Sequence, residues 1–398
     1  MKKVIHSLLL ACITLFATEA MADQSVMEIS AFHEGLAVFQ FSKGNKLHCG
    51  YIDKSGNVAI KPKFGLCYDF HEGLAAVSIR GKAGYIDKSG KFVIKPQFDT
   101  ANEFSNSLAS VVISGHLGGT GTEAPEYAMI YRNGKTAFSL VRGVVIKGDF
   151  CNGVVAISQN EKIGFLSVSM KNGRVADVHV AIQPKFDSIQ DGHSFREAGV
   201  AAAEVNSKWG FISLDGKWAI YPQAELTDDF SEGLACVEIN GRYGYIRTDG
   251  KFAIKPQFET CADFHNGIAS GVMKFGKRGV IDRYGNWVIR PQFEYLDDFD
   301  SSGRALFRVK DFSLPSSIDK FGFTKEHYLA GFVDKQGNIV IQPRFVDDGT
   351  MSEGLVSVNL YGDFGFIDST GNWVISPDTL RNSLSRYCEE KPCNMRSL

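Results

Sequence analysis

Apolar and polar residues alternate along most of the chain in short runs, and the runs recur. Residues 74–80 alternate with the period of two that marks a strand with one buried face. Gly81-Lys82-Ala83-Gly84 can turn the chain, Tyr85-Ile86-Asp87 makes a second short strand, and Lys88-Ser89-Gly90 turns it again. Residues 92–95 make a third strand, and Pro96, which has no amide hydrogen to donate, is expected to stop the ladder. Phe98 follows as an anchor. Full burial of such a ring is worth about 1.5–3 kcal/mol, and one meander of this size cannot bury it alone. The pattern therefore predicts that neighbouring units stack.

The same pattern returns as whole copies. Residues 50–64 (GYIDKSGNVAIKPKF), 84–98 (GYIDKSGKFVIKPQF), 244–258 (GYIRTDGKFAIKPQF), 279–293 (GVIDRYGNWVIRPQF) and 331–345 (GFVDKQGNIVIQPRF) are versions of one unit. Degenerate copies begin at Ala128, Gly164 and Gly210, and a last one runs from Gly365 to Pro377, nine in all. A second element precedes many of them: Glu34-Gly35-Leu36-Ala37, Glu72-Gly73-Leu74-Ala75, Glu232-Gly233-Leu234-Ala235, Asn266-Gly267-Ile268-Ala269 and Glu353-Gly354-Leu355-Val356. From Gly50 to Gly84, Gly210 to Gly244 and Gly331 to Gly365 the spacing is 34 residues.

These copies, with Lys208-Trp209-Gly210-Phe211-Ile212, resemble the WG-repeat family, whose units carry a Gly-aromatic-Ile-Asp core, a turn Gly and an Ile-x-Pro-x-Phe ending. The resemblance runs from Phe32 to about Pro377. It implies a repeat architecture and a binding or interaction module, and says little about activity. The third copy departs from it by lacking the Pro-x-Phe ending, and Arg247 replaces the core Asp in another.

The expected fold is all-β: a tandem array of about nine three-stranded antiparallel β-meanders. An open, twisted array or solenoid is favoured over a propeller-like ring. Nine blades exceed the usual 4 to 8, each lacks a fourth strand, and no strand swap between the chain ends is evident. The expected divisions are a signal peptide over residues 1–22, the array over 23–378 and a polar C-terminal tail or cap over 379–398.

The amino terminus bears on location. Lys2 and Lys3 precede an apolar stretch, and Ala20-Met21-Ala22 offers a cleavage site, so a periplasmic or secreted bacterial protein with a cleaved signal is expected. Two alternatives are an uncleaved anchor, for which the stretch is short, and a lipoprotein modified at Cys12, which would leave apolar residues on the mature terminus. No transmembrane segment is expected in the mature chain. The formal net charge of -2, without a basic block or an acidic tail, argues against nucleic acid. Gly (41) and Phe (30) outnumber Pro (11), as suits short strands with glycine turns.

Candidate chemistry is sparse. Asp53, Asp87, Asp282, Asp334 and Asp368 stand three residues before a Gly, the first position of a tight turn. Glu34, Glu72, Glu232 and Glu353 are expected as solvated neighbours of a positive-φ Gly, with an acidic ridge as the alternative. His33, His71 and His265 share one repeat position and lack a third metal ligand at fixed spacing. Cys49 with Cys67, Cys236 with Cys261, and Cys388 with Cys393 are candidate disulfides, the first two each within one unit, with Cys151 left over. The run from Gly115 to Gly121 has no following Lys or helix and reads as an insertion rather than a phosphate loop. No cofactor, metal or catalytic residue is implied.

Partner identity is expected in the insertions. Residues 114–127, 167–180 and 310–330 break the 34-residue rhythm, and the last carries Phe312, Leu314, Phe321, Phe323, His327 and Tyr328, apolar for a loop. That segment is the first candidate contact surface, with a cap over the array edge as the alternative. Trp218, Trp287 and Trp373 sit on third strands as core or as a sugar-binding face. The expected function is an exported module that binds or scaffolds a protein or cell-envelope polymer, not an enzyme. An envelope-polymer hydrolase with an unannounced pair of carboxylates and a passive spacer are the alternatives.

Overall fold

The computed structural model describes residues 26–43, 46–114, 125–190, 195, 199–300, 302–311, 317–318, 324–325, 328–345, 347–360, 363–387 and 394–397. They form nine small antiparallel blade sheets in chain order, arranged as a nine-bladed β-propeller, and one separate two-stranded ladder of Ser317–Ile318 with Thr324–Lys325. No helix among them is long and apolar enough to cross a membrane.

Blade 2 shows why the sequence folds this way. Its strands b (Ala75–Ile79), c (Lys82–Ile86) and d (Phe92–Phe98) are the three that the alternation predicts. The turn between b and c is tighter than expected, being made by Arg80 and Gly81 at φ 52° and 77°, so Gly84 lies inside strand c. Strand d does not stop at Pro96. Ala83 pairs with Phe98 and Tyr85 with Ile94, so strand d holds two residues more than strand c between these pairs and bulges. Proline is tolerated at such a bulge on an edge strand. A Cβ on Gly84 would lie 2.6 Å from the Ile94 carbonyl oxygen and 2.7 Å from the Pro96 nitrogen. Glycine in strand c and Pro in strand d are two halves of one fit.

Blade 3 supplies the control. Its strand c (Glu126–Tyr131) has Ala128 at the glycine position, and its strand d (Thr136–Ser139) has no proline. Ala128 pairs with Ser139 and Met129 with Phe138, without the two-residue excess opposite that position. Where the bulge is missing, a side chain fits.

Each blade also has a strand that the alternation does not reveal. In blade 2 this is strand a, Leu66–Cys67, which follows the anchor Phe64 of blade 1 and pairs with strand b of blade 2. Two residues are too few to display a period. With strand a the blades have four strands, and one objection to a ring disappears. The second disappears at the chain ends: Val26–Ile29 is strand a of blade 1, and Asn394–Ser397 pairs parallel to it from the C-terminus.

Closure is carried by side chains as well. Phe32, Phe39 and Ile52 of blade 1 share one core with Leu355, Phe366 and Ile375 of blade 9. The tail forms a short helix, α1 (Pro377–Leu384), capped by Ser376, whose hydroxyl accepts from the Thr379 amide at 3.2 Å. Its Leu380 and Leu384 are fully buried in that core. The open array that the sequence favoured is therefore corrected to the ring that it held as the alternative.

Blade-to-blade packing repeats around the circle. The aromatic ring of each Gly-aromatic-Ile core meets the Phe before the next blade's corner: Tyr51 with Phe70 at 5.0 Å, Tyr85 with Phe104 at 4.8 Å, Tyr245 with Phe264 at 4.9 Å and, across the closure, Phe366 with Phe32 at 4.9 Å. The anchors Phe64, Phe98, Phe258 and Phe345 are buried, as stacking requires. Trp218, Trp287 and Trp373 stand edge-on against the anchor Phe of the preceding blade, at 5.5 to 6.3 Å. All three indoles thus pack between blades, and Trp373 also keeps 38% of its surface exposed.

Candidate functional site

The repeated polar residues are occupied by folding. Asp87 Oδ1 accepts from the amides of Ser89 and Lys91 at 2.9 and 3.1 Å, the turn role that its spacing predicts. The corner between strands a and b departs from expectation. Glu34, Glu72, Glu232 and Glu353 themselves take positive φ, 51° to 52°, ahead of a positive-φ Gly. Each carboxylate is thereby turned onto the next blade. Glu34 accepts from the Gly73 amide at 3.0 Å, Glu72 from Ser107 at 3.1 Å, Glu232 from Gly267 at 2.9 Å, and Glu353 from Gly35 at 3.0 Å, which closes the ring.

A basic residue in the c–d turn of the following blade completes each staple. Lys88 Nζ reaches the Glu34 carbonyl at 2.8 Å and its carboxylate at 3.0 Å; Lys54 does the same to Glu353 at 3.1 and 3.0 Å. Arg283 serves Glu232, and Arg132 donates to the Glu72 carbonyl. Burial pushes the Glu34 and Glu353 carboxyls up, but the lysine and the donated amide outweigh it and leave both below the usual range. An acidic ridge open to a cationic partner does not form at these residues.

The histidines lie at the same corner. His33 and His71, in adjacent blades, have ring centroids 5.7 Å apart. With nine blades at about 40° each, equivalent groups at this separation lie about 8 Å from the axis, so the corners ring the axial opening. Each histidine faces a carboxylate of the next blade: His33 with Asp69 at 3.4 Å, His71 with Glu103 at 3.0 Å, His265 with Asp298 at 3.9 Å. This acidic position carries a signal in the sequence, an acid-Phe-x-x-Gly signature that recurs at Asp69, Asp229 and Asp263. Burial, then the Asp228 charge, holds Asp263 up at about 6, against the pull of His265. Asp228 and Asp298 are also raised, mainly by burial. Asp228 groups with Cys236 and Cys261 within 4.8 Å, but the two sulfurs are joined to each other.

The cysteines act across seams. Cys49 on strand c of blade 1 bonds Cys67 on strand a of blade 2, and Cys236 on strand b of blade 6 bonds Cys261 in the connection to blade 7. Both pairs lie within one sequence unit; the additional strand makes the first a link between blades. Cys151 is a buried free thiol. Cys388 and Cys393 lie outside the described residues, as do residues 1–22 and Phe312, Leu314, Phe321, Phe323 and His327 of the expected contact loop. Tyr328 opens strand c of blade 8, its ring 5.4 Å from Tyr295.

The seam of blades 3 and 4 has a different construction, whose corner is repeated at the next seam, where Asn152 donates to the Phe195 carbonyl at 2.8 Å. The blade 3 corner reads Ser105-Asn106-Ser107, so no carboxylate is available there to staple blade 4. Asn106 donates instead to the Phe150 carbonyl at 3.0 Å, and Ser105 to the same oxygen at 3.1 Å. Strand d of blade 3 stops at Ser139 without the Pro-x-Phe ending, whereas strands c and d of blade 4 (Lys162–Lys171 and Arg174–Phe186) run long. Their turn at Asn172-Gly173 is tied to blade 3 by the Val175 amide, which donates to the Tyr131 hydroxyl at 2.7 Å.

Between the short strand and the long hairpin lies an open cleft of about 510 Å³, lined by Ser107, Tyr131, Arg132, Lys135, Thr136 and Arg174 among others. Three cations line it and, among the described residues, no carboxylate does. Among the described residues, Lys135 and Arg174 have no side-chain ion-pair partner. Both departures that make the cleft, the missing ending and the insertion at 167–180, are readable in the sequence. Their meeting is not, because it depends on how blades 3 and 4 lie side by side.

The WG containing repeat matches residues 50–82, 84–115, 179–209, 209–243, 243–274, 279–311, 331–362 and 364–378. The longest internal stretch left unmatched, residues 116–178, frames the cleft. Among solved structures, AztD from Citrobacter koseri is similar at 14% identity and a TM-score of 0.39, over 66% of this chain and 84% of its own. Kluyveromyces lactis Hsv2 is similar at 10% and 0.36, over 76% and 98%, and a prolyl endopeptidase at 10% and 0.40, over 80% and 54%. No protein of curated function matches the sequence.

Proposed function

The chain belongs to the WG containing repeat family, and on that premise we propose that it is an exported binding or scaffolding module for a cell-envelope polymer or protein. One observation carries the reading. The repeated Asp, Glu, Gly and Phe positions are engaged within and between blades, while the cleft at the seam of blades 3 and 4 presents Lys135 and Arg174, which have no ion-pair partner among the described residues. Binding sites on repeat scaffolds are expected where the regular pattern is interrupted. Export is supported by the basic and apolar amino terminus with Ala20-Met21-Ala22, and by two disulfides, which persist in oxidising compartments.

The test is capture from a native envelope extract by the full mature chain and by a Lys135→Glu/Arg174→Glu variant. Retention of a polymer or protein by the first and its loss from the second is the expected result; no retention by either would refute the reading. N-terminal sequencing of the exported protein is expected to begin at Asp23. A hydrolase is favoured by a single feature, the carboxyl of Asp263 held at about 6 beside other carboxylates. Turnover of envelope glycans that disappears in Asp263→Asn would establish that reading instead.

A further inference from the structure

We infer that the cleft between blades 3 and 4 takes a short segment of an anionic glycan, with a carboxylate or phosphate group seated among Arg132, Lys135 and Arg174. This rests on the binding reading above and names the ligand chemistry. The volume, about 510 Å³, falls within the range of about 300–1,000 Å³ usual for pockets that enclose small molecules and accommodates about two sugar rings. A folded protein partner would instead spread over about 800 Å² on its side of a specific interface.

The lining fits the same class. Two guanidinium groups offer planar forks that match a carboxylate or phosphate in two parallel hydrogen bonds. Lys135 adds a compact charge on the same wall. Ser107, Asn133 and Thr136 bring hydroxyl and amide groups that suit the hydroxyls of a sugar chain. The Glu72 carboxylate, beside the lining residue Ser107, already accepts from the Ser107 amide at 3.1 Å. Arg132 is held in place by the Glu72 carbonyl, and the blade 4 hairpin is held by the Tyr131 hydroxyl at 2.7 Å. Both walls are thus positioned before a ligand arrives, which lowers the ordering cost of binding.

The experiment is calorimetric titration of the full mature protein with trigalacturonate, its neutral methyl ester, an oligomer of glycerol phosphate and a polyglutamate peptide of matched charge. Trigalacturonate or the phosphate oligomer is expected to bind at least ten-fold more tightly than the methyl ester and the peptide, and the preferred one identifies the anion. Lys135→Glu/Arg174→Glu is expected to weaken that binding at least ten-fold. Lys251→Glu, an exposed lysine on blade 6, leaves it unchanged. Unaltered melting temperatures show that the variants fold. Equal binding of the methyl ester, preference for the peptide, or full binding by the double variant would overturn the inference. If envelope extracts still yield a partner while no anion binds, the ligand class is wrong and the binding module stands; if they yield nothing, both fall.

Discussion

The seam that closes the ring, between blades 9 and 1, and the seam between blades 3 and 4 start from the same backbone corner and end in opposite states. At closure, Glu353 reaches the Gly35 amide at 3.0 Å, Lys54 clasps Glu353, and α1 fills the space beside Gly56. A Cβ on Gly56 would lie 2.6 Å from Ile375 Cγ2. At the other seam, Asn106 keeps the corner's φ of 50° but carries no carboxylate, the strand that would fill the gap is short, and a cationic cleft remains. At closure the repeat unit is obeyed in full and its corner is filled; at the seam of blades 3 and 4 it lapses, and cations are left facing a cleft.

The largest test of that contrast uses the bulge. Gly84→Ala places a Cβ against backbone atoms that cannot retreat without breaking the fit to Pro96, and is expected to cost about 2–4 kcal/mol, read as a fall in melting temperature. Ala128→Gly, at the equivalent position of blade 3, is expected to cost about 1–2 kcal/mol, since strand propensity falls and one buried methyl is lost, but no clash is created. Equal losses would remove the link between the strand c glycine and the strand d proline.

The second test is pH. Asp263 has its pKa raised in the fold to about 6 from 3.8. The folded state therefore holds this proton more tightly, and stability falls as pH rises from about 4 to 6. Asp263→Asn is expected to remove that slope and to stabilise the neutral protein by about 1–2 kcal/mol, after allowance for solvent screening. Urea titrations at pH 4.5 and 7.5 measure it. The corner staples have the opposite sign: with Glu34, between blades 1 and 2, and Glu353, at closure, both lowered, their contribution is complete above the unfolded carboxyl range and is lost as pH falls through their folded values.

Smaller effects follow at the staples. Glu353→Gln keeps an acceptor but removes the charge facing Lys54, and is expected to cost about 1 kcal/mol or less, abolished in high salt. Asn106→Glu should do the reverse. The backbone already has the corner's conformation, and a carboxylate there would reach toward the Gly153 corner of blade 4. The expected gain is about 0.5 kcal/mol, with weaker anion binding as a carboxylate enters the cleft mouth. A gain in stability with anion binding unchanged would separate the staple from the site.

Much of this was legible because the determinants are local. Alternation over residues 74–80 and the Tyr85-Ile86-Asp87 run mark strands b and c, and the spacing from Asp87 to Gly90 marks a turn. Strand a was hidden because Leu66–Cys67 is too short to show a period and pairs with strand b of the blade it opens, not with the strand it follows. Glu72 read as a solvated neighbour because its partner, the Ser107 amide, is 35 residues away in the next blade. The cleft is not legible although both of its causes are, since two irregularities in consecutive copies become one site only when the blades lie face to face; along the chain, the apolar content of residues 310–330 is the more conspicuous signal.

Sequence alone determined most of the unit: three of its strands, its Asp-to-Gly turn, and the Phe that obliges each copy to seek a neighbour. Those follow from interactions within one copy, so any copy reveals them. The tertiary structure decided that the series closes, and where it leaves a gap. Closure depends on a small rotation at every seam adding up to a full turn, and on two chain ends meeting across that sum. No single copy encodes such a sum, and so no reading along the chain could have supplied it.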